Sequence, residues 1–328
     1  MTPGKAGLPN ADILNQAERA RGKDVSDMGN IILLFLCIGI GMALRASGRL
    51  PENAHGVLNT FIIYVSLPAL TLVHIRGITL EPGLFYAVAM PWLLFAAGAI
   101  FFWSIAKAMR FSPQTTGGLM LSSGLGNTSF VGLPMIEAFY GASGLAVGIL
   151  IDQLGTYMVL STAGIAIAAL YSSGTISSRE VAKRIATFPP FIALIAALLL
   201  LPFEYPQWLS DVFRRLADTL VPLALVSVGC QLRLDQLTGR KMPLFVGLGF
   251  KLIIGPLVLM LLYVQLLGAR GDVVQITLFE SAMGPQIGAA IVAIQHGLNP
   301  PLITLLVGIG ILLSFLTLPM WWYVLQGV

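Results

Sequence analysis

Two segments of this chain hold residue types that could bind an anion inside an otherwise apolar protein. The first reads Ser122-Ser123-Gly124-Leu125-Gly126-Asn127-Thr128-Ser129-Phe130-Val131-Gly132-Leu133-Pro134. Glycines, a proline, an amide and several hydroxyls make a poor membrane helix, but they supply backbone that can unwind. A break here frees N–H groups at the start of the following half-helix, where those donors and the helix dipole favour an anion. Asn127 and Thr128 add side-chain hydrogen bonds, with Gly126 and Pro134 as helix-breaking residues. The second segment, Glu280-Ser281-Ala282-Met283-Gly284-Pro285-Gln286-Ile287-Gly288, repeats the device. Pro285 lacks a backbone donor and clashes with the preceding turn, so the helix must break or kink there. Two such breaks at matching positions point to a midplane binding site. The plainer alternative is a pair of kinked helices whose glycines serve close packing. The substrate-binding set expected from these segments is Asn127, Thr128, Ser123, Gly284, Pro285 and Gln286, with Thr71.

Charged side chains inside apolar spans cost roughly 2.5–3.5 kcal/mol each on insertion scales, so each one calls for an account. Asp152, beside Gln153, and Glu280 are candidates for coupling to a proton or another cation. Lys251 interrupts a span and either neutralises one of these carboxylates or a substrate anion, or snorkels to the interface. These four residues form the expected group for ion coupling or polar support. Glu137, His74 and His296 lie at span ends, where an ordinary solvated or interfacial role is expected.

The elements that would position these residues are long apolar runs. Hydrophobic residues make up 56% of the 328 and charged residues 10%, with mean hydropathy +0.85. A soluble domain carries about 25% charged residues. Spans are expected near 29–46, 57–75, 83–107, 115–139 and 145–171, and again near 187–204, 215–233, 241–267, 273–297 and 301–327. A shift of roughly 158 residues superposes the two sets, bringing Ser123-Gly124-Leu125-Gly126 onto Ser281-Ala282-Met283-Gly284. Five spans is an odd number, so the second half must enter the membrane from the opposite side. The expected fold is therefore an all-α membrane protein of ten transmembrane helices, built as two inverted five-helix repeats with broken, crossing helices 4 and 9. The expected divisions are an N-terminal tail 1–28, a first repeat 29–171, a cytoplasmic linker 172–186 and a second, inverted repeat 187–328.

Loop charge sets the orientation. Arg45, Arg49, Lys107, Arg110, Arg179, Lys183, Arg184, Arg233, Arg240 and Lys241 fall in one set of loops, against Arg76, Arg214, Arg215 and Arg270 in the other. The first set is assigned to the cytoplasm, leaving both termini outside, although the tail carries Lys5, Arg19, Arg21 and Lys23. Ala11 to Ala20 could form a short amphipathic surface helix or belong to a disordered tail. A net charge of +4 spread over short loops gives nucleic-acid binding no support. Cys37 and Cys230 lie in apolar spans as packed thiols, with no disulfide framework or metal spacing. No nucleophile elbow or His-Glu-x-x-His is present, which argues against an intramembrane enzyme. A non-transporting receptor would also bind ligand, but no soluble signalling domain accompanies the spans.

At the two break segments the sequence resembles the auxin efflux carrier family, which includes plant auxin carriers and bacterial malate or malonate permeases. Gly126 to Pro134, followed by Tyr140-Gly141, resembles its fourth-helix crossover, and Met283 to Gly288 its ninth. Leu58-Asn59-Thr60-Phe61, followed by Leu67-Pro68, is similar to its second helix. The resemblance runs from about Met28 onward. It implies a scaffold domain, a crossing transport domain, homodimers in the cell inner membrane, and a small organic anion such as a carboxylate held near the crossing without a cofactor. By this resemblance Asn127 falls on a substrate-contacting Asn, Gln286 on its symmetric partner region, and Asp152 where plant members often have Gln. Gly126 stands where plant carriers have Pro, and the long central loop of many plant members is missing, so auxin itself is not implied. The Glu280…Met283…Gln286 spacing also resembles the sodium-binding helix of bile-acid sodium symporters, which share the fold. Sodium coupling of that type is therefore the alternative to proton coupling or uniport.

Overall fold

The computed structural model describes residues 32–51, 53–77, 83–172, 178–231 and 241–328. The tail 1–28, with the amphipathic helix considered for Ala11 to Ala20, lies outside the described residues. So do part of the 172–186 linker and the loop holding Arg233 and Arg240.

The described residues are helical, without strands. In chain order the helices are α1 (Ile32–Ala46), α2 (Ala54–His74), α3 (Leu84–Met109) and α4 (Pro113–Gly124). Next comes α5, a widened π turn at Thr128–Gly132 continuing as Leu133–Tyr140, and then α6 (Ala142–Leu170) and α7 (Ser178–Ala186). The rest are α8 (Pro189–Leu199), α9 (Gln207–Ala217), α10 (Leu220–Gln231), α11 (Lys241–Leu266), α12 (Asp272–Ser281), α13 (Ile287–Gln295) and α14 (Pro300–Leu325). Five of these, α2, α3, α6, α11 and α14, are long and apolar enough to cross a membrane, while α1 and α8 are shorter apolar helices. A hydrocarbon core needs about 20 helical residues.

Local chemistry sets the ends. Met109 closes α3 because Arg110 takes the left-handed conformation, at φ 53°. Ser112 caps α4 by accepting from Thr115 N at 3.3 Å, and Pro113 fills the first helical position, where its missing N–H costs nothing. Pro300 does the same for α14.

Two differences from the sequence expectation stand out. The seventh span was expected at 215–233, but Gln207–Ala217 forms a separate helix with one polar face, and the apolar helix begins only at Leu220. Arg214 and Arg215 fall in that polar helix, whose charges the hydropathy average blurred into a loop. The linker expected at 172–186 is helical over Ser178–Ala186.

The helices sort into two groups by packing. α8, α9 and α10 pack around α2. Gly41 of α1 meets Gly229 of α10 so closely that a Cβ on either would strike the other's backbone, and Cys230 Sγ donates to Gly41 O at 3.4 Å. In the second group α3 packs on α4, α6 and α12, while α14 packs on α4, α11, α12 and α13. α5 bridges to the first group through α10.

Candidate functional site

The chain leaves its helical path twice inside the second group, between α4 and α5 and between α12 and α13. Leu125 is extended (φ −118°, ψ 144°), as is Gln286 (φ −74°, ψ 127°), so the backbone unwinds at both places. The unwound strands pair: Gly126 and Pro285 form an isolated antiparallel bridge, and Asn127 N donates to Gly284 O at 2.9 Å. Gly126 and Pro285 face each other as a non-hydrogen-bonded pair, so the bond runs between their neighbours and the missing N–H of Pro285 costs nothing there. Gly284 fits because it lies flat on α14. A Cβ there would stand 3.0 Å from Ile311 Cα and 3.1 Å from Ser314 Oγ.

Asn127 starts the half-helix after the first break. Its Oδ1 accepts from Phe130 N at 3.2 Å, while its Nδ2 is buried with no partner among the described residues. Gln286 Oε1, at the second break, is likewise buried and unpartnered, as are the hydroxyls of Ser122 and Ser123. Four buried polar groups without partners at paired breaks are unusual, since buried polar atoms are nearly always hydrogen-bonded.

Behind the breaks lies a charged layer. Asp152 sits in a widened turn of α6, and its Oδ1 accepts from Thr128 Oγ1 and Ser129 Oγ, each at 2.6 Å. Its neighbour Gln153 donates through Nε2 to Thr71 Oγ1 at 2.7 Å, which ties α6 to α2 and so links the two helix groups. Lys251, in a widened turn of α11, donates to Ser281 O at 2.8 Å. Glu280 turns elsewhere. Both its carboxylate oxygens lie where a Cβ on Gly132 would be, and neither has a hydrogen-bond partner among the described residues.

The structure thus brings Asn127, Thr128, Gly126, Gly284, Pro285, Asp152 and Lys251 together around the breaks. Thr71 and Gln153 form their own link, and Pro134 lies one turn into α5, beyond the break it was expected to cause. Lys251 does not snorkel, because its side chain is 0% exposed, and it donates to a backbone carbonyl, that of Ser281. Sequence reasoning assigned no role to Ser129, Ser281 or Gly132. The adjacency of Ser129 to Thr128 is a signal for the first, and the repeat match of Ser281 to Ser123 for the second, but nothing in the sequence marks Gly132.

Two cavities lie between the helix groups, at opposite ends of α2 and α10. One, of about 480 Å³, runs from Arg45, His55 and Gln231 to Ile287, the residue after Gln286. Arg45 Nη1 donates to Cys230 O at 2.9 Å on its wall. The other, of about 280 Å³, is lined by His74, Pro134, Glu137 and Asp218.

Comparison with known proteins identifies the family. Residues 28–322 match a family described as membrane transport protein. An uncharacterized transporter of Methanothermobacter thermautotrophicus is 26% identical over 302 residues, covering 90% of this chain and 97% of its own. An uncharacterized transporter of Methanocaldococcus jannaschii is 24% identical over 310 residues, covering 91% and 98%.

Proposed function

This chain belongs to the membrane transport protein family, that of the auxin efflux carriers, and from that premise we propose that it is a secondary carrier of small organic anions. It is a multi-pass membrane protein, and the cell inner membrane is its proposed location. One observation carries the reading: the two breaks are joined by the Asn127 N to Gly284 O bond, and beside that joint the Asn127 amide nitrogen is buried without a partner among the described residues. An unsatisfied buried donor costs about 1–3 kcal/mol, and a carboxylate oxygen placed against it removes that cost. Asn127, Thr128, Ser123 and Gln286 supply polar contacts, and Gly284 and Pro285 shape the floor. Thr71 acts through Gln153 at the seam between the helix groups.

The architecture proposed with this function is ten transmembrane helices in two inverted repeats, 29–171 and 187–328, joined by the linker 172–186. The α4–α5 and α12–α13 pairs cross at the midplane as helices 4 and 9, and the termini lie outside. In that orientation the cavity ending at Ile287 faces the cytoplasm. Alternating access then consists of closing this cavity while the one near Glu137 and Asp218 opens. Asp152 or Glu280 couples a cation to the anion, and the carrier works as a homodimer.

The test is a melting-temperature screen of the purified protein against mono- and dicarboxylates, since a ligand held only by the folded state raises apparent stability. A carboxylate that stabilises the protein should also be taken up by proteoliposomes. If no carboxylate does either, the anion reading fails.

A further inference from the structure

Transport of an anion does not by itself explain a lysine sealed inside the protein. Lys251 is 0% exposed, and its Nζ donates to Ser281 O at 2.8 Å. A Cβ built on Gly126 would lie 3.2 Å from the same nitrogen and 3.3 Å from the carbonyl oxygen of Glu280. The ammonium therefore sits where two helices stop. Ser281 is the last residue of α12, and Gly126 lies two residues past Gly124, the last of α4.

The last carbonyls of a helix have no partner within it, and together they act as roughly half a negative charge. Two such ends meeting away from water repel one another and strip their carbonyls of solvent, so the arrangement calls for a cation. A dissolved alkali ion could supply it, as could an ammonium carried on the chain. The contacts favour the second. Nζ donates to one C-terminal carbonyl, and on the other unwound strand a single added Cβ at Gly126 would come within 3.2 Å of it.

We infer that Lys251 is the built-in cation of the paired breaks, its ammonium filling the point where the ends of α4 and α12 converge, so that no alkali ion binds there. Gly126 belongs to the same device, because any larger residue would push into the ammonium. Lys251 is in these terms a positioning residue. It holds the two unwound strands together, and the substrate-facing amides of Asn127 and Gln286 depend on that register. The functional meaning rests on the transport reading above, but cation occupancy does not.

Thermal unfolding of the purified full-length protein tests this in choline, sodium and propylammonium chloride at equal ionic strength. Apart from any cation held at Asp152 or Glu280, which Asp152→Asn and Glu280→Gln remove, the protein should melt at one temperature in all three, because the position is filled. Lys251→Ala should melt lower in choline, and propylammonium should restore part of the loss by returning an ammonium through the vacated channel. Propanol, which matches its size without charge, should restore none. Lys251→Met fills the space and guards against a variant that fails to fold, and it should melt below the wild type in every salt. Stabilisation by sodium over choline that persists in Asp152→Asn and Glu280→Gln would overturn the inference. So would equal rescue of Lys251→Ala by propanol, no rescue by propylammonium, or a Lys251→Met variant as stable as the wild type. No transported anion enters this assay, so its failure and that of the transport reading are told apart.

Discussion

Asn127 carries two hydrogen-bonding duties that a pair of substitutions can separate. Its Oδ1 caps the half-helix through Phe130 N at 3.2 Å, and its buried Nδ2 has no partner among the described residues. Losing an N-cap costs about 0.5–2 kcal/mol of stability. Losing a hydrogen bond to a charged ligand costs about 1.5–3 kcal/mol, or roughly 10- to 150-fold in affinity. Asn127→Ala removes both. Asn127→Ser keeps a capping oxygen and removes only the amide donor, so it should melt within about 1 kcal/mol of the wild type yet bind the anion at least about tenfold more weakly. Asn127→Asp keeps the cap but sets a carboxylate against the anion, and it should bind worst of all. The assay is melting temperature titrated with the best carboxylate from the screen. At 100 times its dissociation constant a ligand stabilises the folded state by about 2.7 kcal/mol, and a variant tenfold weaker gains only about 1.4 kcal/mol. If Asn127→Ser gives the wild-type titration, the free amide does not touch substrate and Asn127 only shapes the break.

Three further outcomes follow from the packing. Gly41→Ala would drive a methyl group into the backbone of Val226 and Gly229, and should lower stability by about 1–3 kcal/mol in thermal unfolding, with substrate affinity unchanged. Gly132→Ala would strike both carboxylate oxygens of Glu280. A double-mutant cycle with Glu280→Ala should recover much of the lost melting temperature, and additive losses would show that the two do not meet. At least one of Asp152→Asn and Glu280→Gln should alter ion dependence of uptake in proteoliposomes, and wild-type dependence in both would place coupling elsewhere.

The legible part of the fold was the part written in local pattern. Long apolar runs show their own period and length, so α2, α3, α6, α11 and α14 lie close to where the hydropathy set them. Gly126, Asn127 and Pro285 announce unwound backbone by residue type alone, because proline and glycine act on the main chain wherever they stand. Gln207–Ala217 was missed for the opposite reason. Its apolar and charged residues alternate around a helix, so a window average shows neither. The partner of Lys251 was illegible because it is a carbonyl, which every residue carries. Only the approach of α11 to the end of α12, thirty residues on, selects Ser281. Gly132 was equally hidden, since its importance is the missing methyl group that leaves room for Glu280.

The same geometry assigns different work to the two buried carboxylates. Lys251 brings one positive charge to the layer behind the breaks, against two carboxyl groups, Asp152 and Glu280. An anion arriving with both ionised would raise the local charge from −1 to −2 where water cannot screen it, and repulsion between unit charges a few ångströms apart is worth several kcal/mol even at an effective dielectric of about 20. A companion positive charge entering with the anion relieves that repulsion. Asp152 is a poor host for it, because Thr128 and Ser129 already donate to its Oδ1 at 2.6 Å and both belong to the half-helix that Asn127 caps. Lys251 holds the alkali-ion position at the strand ends. Neither Glu280 oxygen has a hydrogen bond among the described residues; both are set against the glycine surface of Gly132, with Gly148 nearby, so this is the carboxyl group left to take up a proton. Of the two coupling variants, Glu280→Gln should therefore abolish proton dependence of uptake while Asp152→Asn mainly weakens the anion site. The reverse pattern would mean that the charge entering with substrate is held between Thr128 and Ser129 instead.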